Sequence, residues 1–66
     1  MRLFIDTERT AYDPEQVGVT MDLEELIEYL SCIEARYGED VEVMFRNDNG
    51  YTYGGITEEN INMEEE

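Results

Sequence analysis

Carboxylates are the chemistry this sequence offers most of. Eighteen Asp and Glu residues stand against four cations, all arginines (Arg2, Arg9, Arg36 and Arg46), in a chain of 66 residues. No His is present to act as a general base and no Lys to form a Schiff base. No glycine-rich turn of the phosphate-cradling kind joins a strand to a helix. Carboxylate pairs can hydrolyse glycosides, but only when held across a cleft, and a chain this short cannot build one beside a core. The expectation is a protein that is not an enzyme and uses no cofactor. The single Cys32 cannot form an internal disulfide, and without His it cannot assemble a structural zinc site. Asn47-Asp48-Asn49-Gly50 has a superficial look of a calcium loop. An EF-hand needs an acid five residues before its Gly and a Glu six after it, and those positions hold Phe45 and Ile56. No metal site is expected.

What remains for the carboxylates is binding. A formal charge of −14 repels nucleic acid and anionic lipid and draws in basic surfaces. Direct nucleic-acid binding, which depends on Lys and Arg neutralising phosphates, is not expected. No apolar run reaches the length of a membrane span, and Met1 to Asp6 meets an acid too early for a signal-peptide core, so the expected location is the cytoplasm.

The elements that must position these groups are written in the spacing of the apolar residues. Arg2 to Asp6 predicts a strand with Leu3 and Ile5 on one face and Phe4 on the other. Thr7 to Glu15, with Asp13-Pro14, predicts a loop. Val17, Val19 and Met21 alternate with polar residues and predict a second strand, weakened by Gly18. Leu23, Leu26, Ile27, Leu30 and Ile33 form a helical stripe that Tyr37 extends and Glu34 interrupts. Asp22 suits the N-cap, Glu25 suits a capping box, Met21 and Leu26 suit a hydrophobic staple, and Gly38 suits the stop. Val41 to Arg46 and Tyr51 to Ile56 flank Asn49-Gly50 as a hairpin, with Phe45 opposite Gly54 and Val43 opposite Ile56.

The fold class expected is α+β: a small three- or four-stranded sheet, antiparallel or mixed, with one helix packed on one face. Residues 1–57 are expected to make a single domain, and 58–66 a mobile acidic C-terminal tail. The expected core is Leu3, Ile5, Leu23, Leu26, Ile27, Leu30, Ile33, Val41, Val43, Phe45 and Ile56.

Two surfaces stand out. Glu24, Glu25 and Glu28 crowd the first half of the helix, where its dipole tolerates them, although Glu24 and Glu28 form a like-charge i,i+4 pair with no Lys to relieve it. The acid continues through Glu39, Asp40 and Glu42, and these six residues are the candidate acidic partner surface. Parity places Phe4, Met44, Arg46, Tyr51 and Tyr53 on the sheet face away from the expected helix. Their Tyr, Met and Arg composition is that of an interface core, so they form the candidate aromatic interface.

The helix Leu-Glu-Glu-Leu-Ile-Glu-Tyr-Leu-Ser (Leu23 to Ser31) and the hairpin Asp-Asn-Gly-Tyr-Thr-Tyr-Gly (Asp48 to Gly54) resemble those of small acidic proteins encoded in bacteriophages and prophages. The resemblance covers most of residues 1–61. It implies no assigned activity, only a phage setting in a bacterial host and a host target. Two functions follow. In the first, the acidic surface occupies a protein with a basic surface, such as a nucleic-acid-binding protein, imitating phosphate and inhibiting it. In the alternative, the Tyr-rich sheet face pairs with a second copy to give a homodimer that serves as a structural or accessory protein.

Overall fold

A computed structural model describes residues 1–65 of the chain. Its regular elements are strand β1 (Arg2–Asp6), helix α1 (Leu23–Tyr37), strand β2 (Glu42–Asn47) and strand β3 (Thr52–Gly55), with short 3-10 turns at Pro14–Gln16, Asp48–Gly50 and Glu58–Asn60. The fold is α+β, with one helix and one three-stranded mixed sheet. The chain divides into two compact units. One joins Met1–Glu8 to the chain from Glu42 onward and contains the whole sheet; the other is Arg9–Val41 and contains α1.

In the sheet unit the strand order is β1-β2-β3. β1 and β2 run parallel, with Leu3 beside Val43, Phe4 beside Met44 and Asp6 beside Arg46. A parallel pair requires a long connection, and residues 7–41 supply it. β2 and β3 are antiparallel, pairing Phe45 with Gly54, Arg46 with Tyr53 and Asn47 with Thr52. Phe45 therefore faces Gly54 as the Asn-Gly signal predicts. The ladder ends at Met44 and Gly55, so Val43 and Ile56 are not strand partners.

The loop between these strands spans Asp48 to Tyr51. Asn49 (φ 56°, ψ 31°) and Gly50 (φ 97°) both take positive φ, as a type I′ turn demands, and the Tyr51 N–H donates to the Asp48 carbonyl at 3.2 Å. Asp48 also takes positive φ, at 50°, a conformation that short Asx side chains tolerate better than most.

In the other unit α1 starts and stops where its sequence signals lie. The Asp22 carboxylate accepts a hydrogen bond from the Glu25 N–H at 2.9 Å, and Gly38 ends the helix at φ 99° with its N–H donating to the Glu34 carbonyl. The expected strand at Val17 to Met21 is absent: those residues carry no regular structure, and no ladder pairs with them. Alternation gives a segment the capacity to pair, but a strand exists only where a neighbour bonds to it.

No hydrophobic side chain among the described residues is fully buried. Of the expected core, Leu3, Ile33, Val41, Phe45 and Ile56 are half-buried and the others are exposed. A chain of this length hides a smaller share of its surface than a larger domain does. In the tail, Thr57 and Asn60 close a capping box around the last 3-10 turn, while Ile61 and Met63 are exposed. Glu66, the last residue of the expected tail, lies outside the described residues.

Candidate functional site

The aromatic surface is built by strand parity. Phe4 on β1, Met44 and Arg46 on β2 and Tyr53 on β3 fall at adjoining register positions and project to the same side of the sheet. The Phe4 and Tyr53 rings meet with centroids 5.6 Å apart, tilted by 48°. The Arg46 guanidinium lies over the Phe4 ring at 4.7 Å, within the range of a cation–π contact. Arg2, Phe4, Met44 and Tyr53 line an open, shallow recess of about 420 Å³. Phe4, Met44 and Arg46 are half-buried on this face and Tyr53 is exposed, while on the opposite face Leu3 and Phe45 are half-buried and Ile5 and Val43 exposed.

Four of the five residues expected in the aromatic interface come together here. The fifth, Tyr51, sits in the hairpin loop, 85 % exposed, outside the strand whose parity placed it. Sequence reasoning missed two members of this face, Asp6 and Arg2. Both share the parity of Phe4, and that signal was legible.

Asp6 stands beside Arg46 in the parallel register and accepts two hydrogen bonds from its guanidinium, from Nε to Oδ1 at 2.5 Å and from Nη2 to Oδ2 at 2.9 Å. This bidentate geometry is the strong form of the Arg–carboxylate pair. The hydrogen bonds from Arg46 hold the Asp6 carboxyl below the usual carboxylate range, and those same bonds raise the Arg46 guanidinium. Next along the edge, the Thr7 hydroxyl donates to the Asn47 side-chain oxygen at 2.8 Å.

The six candidate acidic residues do not gather in one element. Glu24, Glu25 and Glu28 lie on α1, and Glu39 and Asp40 follow it in the helical unit. Glu42 opens β2 in the sheet unit, where it meets Arg2 loosely, at 3.9 Å and with both side chains more than 60 % exposed. All six are exposed. Among the described residues only Asp6 and Glu42 make an ion pair with an arginine, so the helical carboxylates stand unneutralised.

Among the described residues no three His, Cys, Asp or Glu side chains gather as a metal-binding group, and no helix is long and apolar enough to cross a membrane. Cys32 is exposed. No protein-family model, curated protein or solved structure matches this chain.

Proposed function

We propose that this chain is a non-enzymatic, acidic protein-binding module of the phage or prophage type. It acts in the cytoplasm of a bacterial host by occupying the basic, nucleic-acid-binding surface of a host protein. One observation carries this reading: among the described residues, of the carboxylates behind a charge of −14 only Asp6 and Glu42 meet an arginine. Charge left unneutralised on so short a chain costs self-repulsion and returns fast, salt-sensitive association with cationic partners. The likeness of Leu23–Ser31 and Asp48–Gly54 to phage-encoded acidic proteins supports a host protein as the target.

The test begins with the immobilised protein in bacterial lysate at about 0.15 M salt, where screening extends over roughly 8 Å. Bound proteins are identified by mass spectrometry and then challenged with duplex DNA. The expected result is a nucleic-acid-binding protein that DNA displaces. Reversing Glu24, Glu25 and Glu28 to Lys is then expected to weaken that complex at least about tenfold, some 1.4 kcal/mol, while the circular dichroism spectrum is kept. Affinity unchanged by the triple reversal overturns the reading. Recovery of the chain alone favours self-association through the aromatic face instead.

A further inference from the structure

β1 is an edge strand, because the sheet order β1-β2-β3 leaves one of its sides unpaired. Which backbone groups face that open side follows from the bonds at its two ends. The Glu42 N–H donates to the Met1 carbonyl, and the Thr7 N–H donates to the Arg46 carbonyl. In a parallel ladder every second residue bonds to the same neighbour. Met1, Leu3, Ile5 and Thr7 therefore turn their amides toward β2, and Arg2, Phe4 and Asp6 turn theirs outward. Among the described residues, no hydrogen bond from outside the sheet reaches the backbone of those three.

The side chains of this edge have a symmetry of their own. Arg2-Leu3-Phe4-Ile5-Asp6 reads cation, aliphatic, aromatic, aliphatic, anion about Phe4. We infer that β1 pairs antiparallel with β1 of a second copy across a two-fold axis at Phe4, joining two three-stranded sheets into one of six strands.

The register satisfies backbone and side chains together. Antiparallel pairing centred on Phe4 sets Arg2 opposite Asp6 of the second copy, Leu3 opposite Ile5, and Phe4 opposite Phe4. The three pairs formed by Arg2, Phe4 and Asp6 are those whose N–H and C=O groups point outward, so each is a hydrogen-bonded pair of the antiparallel ladder. Arg2 is held only loosely by Glu42, at 3.9 Å, and its side chain is 62 % exposed, so it is free to take the opposite carboxylate. Phe4 meeting Phe4 extends the Phe4–Tyr53 contact into one aromatic row across both copies. Ile5, 37 % exposed in the single chain, gains an aliphatic neighbour. A parallel pairing would set arginine beside arginine and aspartate beside aspartate, and a two-residue slip would set Phe4 opposite a charge, Arg2 in one direction and Asp6 in the other, in place of its own copy. Edge strands are commonly protected by a charge or Pro at their centre; β1 carries its charges only at the ends and its aromatic at the centre. This pairing uses the sheet edge and stands independently of which partner the acidic surface takes.

The experiment measures mass by sedimentation velocity for the full chain and two variants. Two copies at −14 repel, so the parent is expected to associate more tightly as NaCl rises from about 0.1 M to about 1 M, which shortens screening from about 10 to about 3 Å. Arg2→Asp and Asp6→Arg each place like charges across the two-fold, and each alone is expected to be monomeric. Mixed together they restore both opposite-charge pairs, and only the mixture is expected to give dimer.

Because Asp6→Arg also loses the bond to Arg46, a second measurement avoids it. In a Cys32→Ser background, Phe4→Cys brings two thiols opposite each other in a hydrogen-bonded pair about 5.5 Å apart at Cα, within disulfide reach. Oxidation is expected to yield covalent dimer, and Leu3→Cys, opposite Ile5, is expected not to. A parent that stays monomeric at high concentration in about 1 M NaCl, where repulsion is screened, overturns the inference. Crosslinking equal at positions 3 and 4 does the same.

Discussion

Asp6 is the residue at which local chemistry is most sharply defined, because its two oxygens both accept from Arg46. Its carboxyl titrates below the ordinary range through those hydrogen bonds, and this has a definite consequence for stability. A carboxyl with a depressed folded-state pKa stabilises the fold at pH values above its unfolded pKa of about 3.9. That contribution is lost as pH falls through the lower, folded value. The net charge of −14 works in the opposite sense, since self-repulsion of the whole molecule lessens as acid reduces that charge. The parent profile is thus a composite, and the difference from Asp6→Asn isolates the pair. Denaturant midpoints measured from pH 7 to pH 2.5 are expected to lie lower for Asp6→Asn at neutral pH. The two curves are expected to converge at the acid end. A constant gap across the whole range would mean that Asp6 acts through packing rather than charge. The sequence could have supplied this pair: Asp6 follows Phe4 by two, so it had to share the face, but only the parallel register sets it beside Arg46.

The hairpin and helix were the most legible elements, and each owes this to residues whose conformational preference is local. Gly50 takes φ 97°, and a Cβ there would stand 3.1 Å from the Tyr53 hydroxyl. Gly50→Ala is expected to cost about 1–2 kcal/mol for the left-handed backbone, with the Tyr53 ring displaced besides. Gly55 has ordinary φ and nothing within 4 Å of its Cβ position, so Gly55→Ala is expected to stabilise the strand by about 0.5–1 kcal/mol. Urea midpoints of the two variants against the parent test the pair together, and equal shifts of the same sign would contradict the turn geometry. Asp22 and Gly38 marked α1 in the same way, through a cap and a stop that need no distant partner. The strand expected at Val17 to Met21 failed for the converse reason. Its pattern needed a neighbour, and the ladder closed between β1 and β2 instead, a non-local choice that alternation does not encode. Tyr51 shows the same limit, since its parity held only if the strand began one residue earlier than Thr52. Of the candidate site, the composition of both surfaces was legible, whereas the division of the acidic residues between the two units was not.

At the scale of the whole molecule, two opposing electrostatic terms compete, and salt separates them. Among the described residues the ion pairs are few: Asp6 with Arg46, which is bidentate, and Glu42 with Arg2, which is loose and exposed. Surface pairs of the second kind contribute between nothing and about 1 kcal/mol. Against them stands a net charge of −14 on 66 residues, so that most charge–charge pairs are repulsive, and the field reaches furthest at low ionic strength. Repulsion of this kind is relieved when screening shortens, while a bonded pair at contact distance is screened least. The melting temperature is therefore expected to rise from about 0.01 M to about 0.3 M NaCl and to flatten once the screening length falls below the spacing of neighbouring carboxylates. Choline chloride at matched ionic strength is expected to give the same rise, since screening depends on charge and not on the identity of the cation. An uncharged osmolyte at matched osmolality is expected to lack that early rise. A melting temperature that falls with salt would instead place the two arginine pairs above the repulsion. It would make the acidic surface a neutralised one, and thereby remove the physical basis for drawing in a cationic partner.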